Sequence, residues 1–224
     1  MDDPPQPAPL AYRAGVAAPA DDGYWNHNVH YQRVILDAVP AGCGPAVDVG
    51  CGDGLLVRKL AARCGPVTGI DRDAAMIALA RSRPVPGAAF VEDDFLNCPL
   101  AAESYGFACA NTALHHMGLA AALEKMARIL RPGGRLAVVG LGANGSPADW
   151  AIGAGGIPVN LWYKRTRGEQ YSGAPVLPPD QTWAQVRETA RRLLPGVRYR
   201  RLLLWRYSLV WDKPGGQFIV GSSG

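Results

Sequence analysis

Two short runs carry residue types that could hold a nucleotide. In Asp48-Val49-Gly50-Cys51-Gly52-Asp53-Gly54, an apolar strand runs into three alternating glycines and then into Leu55 and Leu56. Glycines at a strand-to-helix turn permit a tight bend and let a ligand lie against the backbone. The first turn of the following helix presents unpaired N–H groups. The second run is 67–70, which ends in Asp71, nineteen residues beyond Gly52. An acid there is placed to accept from both hydroxyls of a ribose, and its charge repels a 2′-phosphate. Taken singly, the glycines could make a plain turn and Asp71 could be a helix cap.

The four histidines fall in two close pairs, His27 with His30 and His115 with His116. Histidine is the natural proton acceptor near neutral pH. His115 and His116 follow a fourth apolar run, 107–110, which leads into Asn111. Either could act as a base or touch an acceptor, or could pack at a helix start. His27 and His30 are one helical turn apart, a spacing that suits a metal. No carboxylate or cysteine cluster accompanies them, so no metal is expected. They sit in a run dense in polar aromatics: Tyr24, Trp25, His27, Asn28, His30 and Tyr31. That density reads as pocket lining folded over the nucleotide site, or as surface packing onto a sheet. Trp162 and Tyr163 lie in a Gly- and Pro-rich stretch, 142–180, which reads as an irregular lid or substrate wall. Beside them, Lys164, Arg165 and Arg167 could steer an anionic acceptor or form a solvated loop.

Four segments in order, 47–54, 69–71, 91–95 and 129–136, together resemble the class I S-adenosylmethionine-dependent methyltransferases of small-molecule type. The resemblance covers about residues 45–141, and a terminal strand pair extends it. The spacing Gly-x-Gly-x-Gly separates it from dinucleotide dehydrogenases, where Gly-x-Gly-x-x-Gly is expected. The resemblance implies an α/β fold: a Rossmann-like, doubly wound seven-stranded sheet, mostly parallel with an antiparallel last strand, helices on both faces. It also implies S-adenosylmethionine as cofactor and S-adenosylhomocysteine as product. Gly50, Gly52 and Gly54, with Cys51 between them, would pass close to the methionine part, and Asp48 would support its ammonium. Asp71 would hold the ribose and Arg72 cover the adenine. Asp94 with Phe95, or the neighbouring Asp93, would meet the adenine amino group and ring. Asn111 would sit near the methionine and the transferring methyl. The turn Arg131-Pro132-Gly133-Gly134 would be purely structural.

Alternating strands and helices must position these residues. The spacing predicts helices over 24–39, 55–63 and 119–130, and another capped by Asp73. Strands are expected at 46–49, 67–70, 89–91, 107–110 and 135–141. Thr182 with Gln185 makes a capping box for a last helix. Two strands, 197–204 and 207–211, follow so closely that they must pair antiparallel. The domain reading is a loose leader, 1–22, and one domain, 23–220, with a cap helix, 23–40, and the insertion, 142–180. A tail, 221–224, follows.

The composition sets outer bounds. The 224 residues, 48% hydrophobic and 19% charged, suit one domain with a real core. Cys43, Cys51, Cys64, Cys98 and Cys109 are odd in number and scattered, which favours neither disulfides nor zinc and fits a reducing cytoplasm. No apolar run reaches the roughly 18 residues of a membrane span, and no membrane partner is expected. Seven arginines between Arg187 and Arg206 could form a phosphate stripe, but the simpler account is a solvated face. No target-base motif accompanies them, so nucleic acid is not expected. The resulting expectation is in-line methyl transfer to an O, N or C atom of a small, apolar or aromatic acceptor, by a monomer or homodimer. A non-methylating rearrangement on the same cofactor, and a non-catalytic binding protein, stay open as alternatives.

Overall fold

The computed structural model describes residues 24–170 and 178–215; the expected leader 1–22, the tail 221–224 and residues 171–177 of the expected insertion lie outside them. The chain runs α1 (His27–Ala38), β1 (Ala46–Val49), α2 (Leu55–Ala61), β2 (Val67–Asp71), α3 (Ala74–Arg81), β3 (Ala88–Glu92), β4 (Tyr105–Asn111), then a short 3-10 turn, Leu114–His116. It continues through α4 (Leu119–Ile129), β5 (Leu130–Leu141), α5 (Pro147–Arg167), α6 (Trp183–Leu193), β6 (Arg198–Arg201) and β7 (Arg206–Asp212). Seven strands form one sheet in the order β3-β2-β1-β4-β5-β7-β6. Strands β1 to β5 are parallel, and β7 is antiparallel to both of its neighbours, β5 and β6.

Strand periodicity divides the core in two. Val47, Val49, Ala108, Ala110, Leu136 and Val138 face α4 and α6, which supply Leu123, Met126, Val186 and Ala190. The alternate residues Ala46, Phe107, Cys109, Ala137 and Val139 face α1 and α2, which supply Ile35, Leu56 and Leu60. A central parallel strand buried on both faces must be apolar on both. Asp48 breaks that rule in the middle of β1, and it is 1% exposed.

Local signals set most element ends. Asp73 caps α3 by accepting from Ala75 N–H and Met76 N–H at 2.9 and 3.2 Å. Thr182 and Gln185 make a reciprocal capping box on α6. Asn26 caps α1, its Oδ1 accepting from Val29 N–H at 2.8 Å, so that helix begins at His27 and not at Tyr24. Strand β6 ends earlier than expected because Leu204 and Trp205 both take left-handed backbone angles, φ 57° and 59°, and turn the chain into β7.

Three expectations are corrected. Residues 147–167 of the expected irregular stretch 142–180 are helical: Ser146 and Asp149 form a capping box, Pro147 opens the first turn, and α5 runs for 21 residues. Arg131–Gly134 does not break the chain between helix and strand; β5 already begins at Leu130 and the four residues bulge out of it. Tyr105 pairs with Leu130 while Phe107 pairs with Arg135. Gly133, at φ 74°, stays bonded through its N–H to Lys213 O at 3.0 Å, so the bulge is anchored. Finally, Cys43 and Cys64 are joined as a disulfide, Cα to Cα 5.6 Å apart, because the turns before β1 and after α2 meet at one end of the sheet. Cys51, Cys98 and Cys109 are buried free thiols.

Candidate functional site

A cavity of about 680 Å³ opens where β1, β2, β3 and β4 end, and α1 roofs it. In an open α/β sheet this is where strand order reverses and where ligands bind. The loop after β1 folds back on β2: Gly50 N–H and Cys51 N–H both donate to Ile70 O, at 2.8 and 3.1 Å. Gly50 lies at φ 71°, and a Cβ there would stand 2.3 Å from the Ala113 Cβ, so only glycine lets the loop touch the segment after β4. At Gly52 a Cβ would meet nothing within 4 Å; its face is open to the cavity it lines. Gly54 packs a structural contact instead, since a Cβ would come within 2.6 Å of the Phe90 ring.

Asp71 ties the two halves of the floor together. Its Oδ2 accepts from Gly52 N–H at 2.8 Å and its Oδ1 from Asp73 N–H at 3.0 Å. A carboxylate has about four lone-pair sites, so two remain for a ligand. Asp48 lies deeper and accepts from the Cys109 thiol at 3.4 Å. Burial pushes its carboxyl up to about 7; the Cys109 contact opposes this and the charges of Asp71 and Asp53 add to it. The Cys51 and Cys109 thiols are pushed far up by burial, which removes them as nucleophiles. Asp93, Asp94 and Phe95 line the same cavity just past β3. Asp94 Oδ1 accepts from Leu96 N–H at 2.8 Å, which fixes the turn.

The segment after β4 is strained. Thr112 lies at φ 59°, a costly angle for a β-branched residue. Its Oγ1, and Asn111 Oδ1, are buried without a hydrogen-bond partner among the described residues. Asn111 Nδ2 donates to Asn28 O at 3.0 Å, and Asn28 Oδ1 accepts from the buried Arg206 at 2.6 Å. Helix α1 is thus latched to β4 and β7 together. His116 lines the cavity; burial and then Arg72 lower its pKa, against Asp71, and keep the imidazole neutral near pH 7. His115 does not line it; its ring lies 4.0 Å from that of His116.

The N-terminal aromatics divide. Tyr24 lines the cavity, with Asn28, Val29 and Gln32 from one side of α1. Trp25, His27, His30 and Tyr31 do not; Trp25 and His30 meet Tyr163 of α5. Trp25 stacks on Tyr163 at 5.2 Å, His30 lies 5.1 Å from it, and His27 pairs with Glu169 at 3.3 Å. Tyr31 donates to Leu203 O at 2.8 Å. Trp162 is exposed on α5. Helical geometry is the reason: one side of α1 reaches the cavity while its neighbours face α5. Sequence reading missed Val29, Gln32, Asp53, Thr112 and Met117 in the cavity wall. The α1 pair is signalled by its spacing, whereas Thr112 carries no signal.

The arginine-rich end is also divided. Arg201 stacks over Trp183 and pairs with Asp149, Arg198 pairs with Asp212, and Arg206 is buried. Arg187, Arg191 and Arg192 remain exposed on α6. Among the described residues, no group of His, Cys, Asp or Glu is arranged to hold a metal, and no helix is long and apolar enough to cross a membrane.

Comparison with known proteins places the chain. A methyltransferase domain family matches residues 46–134. An uncharacterized methyltransferase of Mycobacterium tuberculosis, strain H37Rv, is 32% identical over 209 residues, covering 86% of this chain and 99% of its own. The 2-phytyl-1,4-naphtoquinone methyltransferase of Thermosynechococcus vestitus is 36% identical over 121 residues, covering 50% of this chain and 53% of its own. In fold, the chain is similar to a geranyl diphosphate methyltransferase solved with S-adenosylmethionine. The TM-score is 0.61 at 16% identity, over 82% of this chain and 84% of that one.

Proposed function

As the chain belongs to the methyltransferase family, we propose that it is a class I S-adenosylmethionine-dependent enzyme whose acceptor is a small apolar or aromatic molecule methylated on an O, N or C atom. One observation carries this reading: a single cavity is lined both by Asp48, Asp71 and Asp94 and by His116, Met117 and Tyr24. The acids suit a cofactor and the second group suits an acceptor beside it. The relative named for a phytyl-bearing naphthoquinone supports an apolar acceptor.

The residues fit the cofactor. The charged groups acting on Asp48 are themselves acids, so a ligand ammonium would relieve it. Asn111 Oδ1 and Thr112 Oγ1 are buried polar atoms awaiting a partner. Asp71 keeps lone pairs for ribose hydroxyls, Gly52 leaves room against the backbone, and Asp93 or Asp94 with Phe95 offers an acid and a ring to adenine. Arg72 lies beside them in the wall. When bound, S-adenosylmethionine supplies a methyl activated by its sulfonium, with S-adenosylhomocysteine as the product. The chain itself mainly aligns the acceptor. His116, neutral near pH 7, accepts the proton that an O–H or N–H acceptor must lose.

Calorimetric titration with S-adenosylmethionine and S-adenosylhomocysteine tests the cofactor, and heat from neither would end the reading. Release of S-adenosylhomocysteine across a panel of phenols, hydroquinones and amines tests the acceptor. Binding without release from any of them would overturn the proposed acceptor class.

A further inference from the structure

Helix α5 is inside out. Where it crosses Leu204 and Trp205 its contacts are made by small residues: a Cβ on Gly153 would come within 3.0 Å of Trp205 Nε1, and Gly156 is buried near the Leu204 backbone, while Val159 and Tyr163 pack on the body further along. Its large apolar residues point away, with Trp150 67%, Ile157 49%, Leu161 61% and Trp162 57% exposed. At about 100° per residue, Trp150, Ile157 and Leu161 fall on one stripe about 40° wide. Leu203, 57% exposed, lies at the foot of the same helix beside Ile152. A helix in water does the reverse, turning its large apolar residues inward. Small residues toward protein and large ones outward is the arrangement found where the outer medium is apolar.

The charges around the stripe name that medium. The last turn carries Lys164, Arg165 and Arg167, all exposed. Arg33 of α1 is exposed as well and acts on His30 together with Arg167. The acids of this region are engaged: Asp149 pairs with Arg201, and Glu169 with His27 and Lys164. An apolar stripe headed by Trp150, with exposed Trp162 on its flank about 100° round from Leu161, and a cationic terminus suit the headgroup boundary of an anionic bilayer. At 21 residues α5 is not apolar enough to cross, so it would lie in the plane.

We infer that α5 docks the protein onto an anionic membrane surface through Trp150, Ile157, Leu161 and Trp162, with Lys164, Arg165 and Arg167 on lipid headgroups. The inference goes beyond methyl transfer and does not depend on it. It accords with an apolar acceptor, because such molecules gather in lipid.

The test is co-sedimentation of the full chain with phosphatidylcholine vesicles, with and without one quarter phosphatidylglycerol, at low and high salt. The chain is expected to bind the anionic vesicles, to bind neutral ones weakly, and to lose binding at high salt. Lys164→Ala/Arg165→Ala/Arg167→Ala should weaken binding roughly a hundredfold, at about tenfold or less per cation. Trp150→Gln/Ile157→Gln/Leu161→Gln should abolish it while leaving S-adenosylmethionine affinity unchanged. If that variant misfolds, Leu161→Cys carrying an environment-sensitive dye gives the same readout, a blue shift on anionic vesicles alone. The inference is overturned if the chain stays in the supernatant, if the triple glutamine variant binds as well as wild type, or if the dye does not shift. It is also overturned if the stripe proves to hold two copies together, so that the glutamine variant converts a dimer to a monomer and no vesicle is bound.

Discussion

The two sides of the cavity region are built by opposite rules. On the strand-end side, backbone N–H groups fix the acids at the ends of β2 and β3. Asp71 is held by two N–H groups, Asp94 by one, and Gly50 sits where no side chain fits. On the helix side, α1 is tied down through side chains, Arg206–Asn28–Asn111 and Tyr31–Leu203, and α5 rests on Gly153, Gly156, Val159 and Tyr163 with Trp150, Ile157 and Leu161 outward. The first side is preorganised, and chemistry that needs placement within a fraction of an ångström belongs there. The second side is a surface, and its task is contact with something beyond the chain.

The largest effect should come from His116, where the two sides meet. His116→Gln should lower kcat about 10²–10⁴-fold, with S-adenosylmethionine affinity kept within a few-fold by calorimetry. Burial and Arg72 lower the wild-type imidazole pKa, so the acid limb of its pH–rate profile should lie below the ordinary histidine value. A profile unchanged in the variant would remove His116 from proton transfer.

Gly50→Ala comes next and attacks the strand-end side alone. Overpacking against Ala113 together with a left-handed φ should destabilise by about 2–5 kcal/mol, read by thermal melting. If cofactor binding and Tm both survive, the floor is less fixed than its hydrogen bonds imply.

Asp48 allows a subtler separation of ligand from fold. Its folded carboxyl is raised to about 7, above the unfolded value near 4, so the protonated form is the one folding favours. The ligand-free protein should therefore be most stable below pH 4 as far as this group is concerned, and lose that contribution as pH rises through 7. Asp48→Asn should stabilise the ligand-free protein at pH 8 by roughly 2–4 kcal/mol and weaken S-adenosylmethionine binding. In wild type the affinity for that cation should climb from pH 5 to 7 and flatten above it. A flat profile throughout would mean that Asp48 does not face the ammonium.

The smallest effect sharpens the other half of the contrast. Ile157→Gln on the outer stripe of α5 should leave stability within about 0.5 kcal/mol, whereas Ile77→Ala in the core should cost about 2–5 kcal/mol. Denaturant titration of the pair measures both. A costly Ile157→Gln would mean that the stripe is covered by the chain itself.

The same division explains what could be read beforehand. The floor was legible because its chemistry is local: a strand, three glycines and an acid at fixed spacing, with Asp73 and Thr182 announcing helices by type alone. The antiparallel strand pair was legible from its short link. Helix α5 was hidden because Gly153, Gly155, Gly156 and Pro158 lower its propensity, so its Ser146–Asp149 capping box is a weak signal until packing against Trp205, Leu204 and Trp25 adds to it. The aromatic run 24–31 was seen, but its partner was not. Trp25 and His30 turn to Tyr163, 133 residues or more away along the chain, a contact no local pattern encodes. Thr112 was invisible for a different reason, since its strain and its unpaired hydroxyl are properties of the assembled edge.

Strand order carries a consequence for synthesis. Strands β1 to β5 can assemble once Leu141 has emerged, yet the free edge of β5 must wait for β7, about 65 residues later. At roughly 5–20 residues per second, the nascent chain displays an unpaired, apolar β5 edge for several seconds. The interval is exposure to the wrong partner. A ribosome stalled between Leu141 and Arg206 would leave a product whose strand-end floor is complete and whose sheet is sticky.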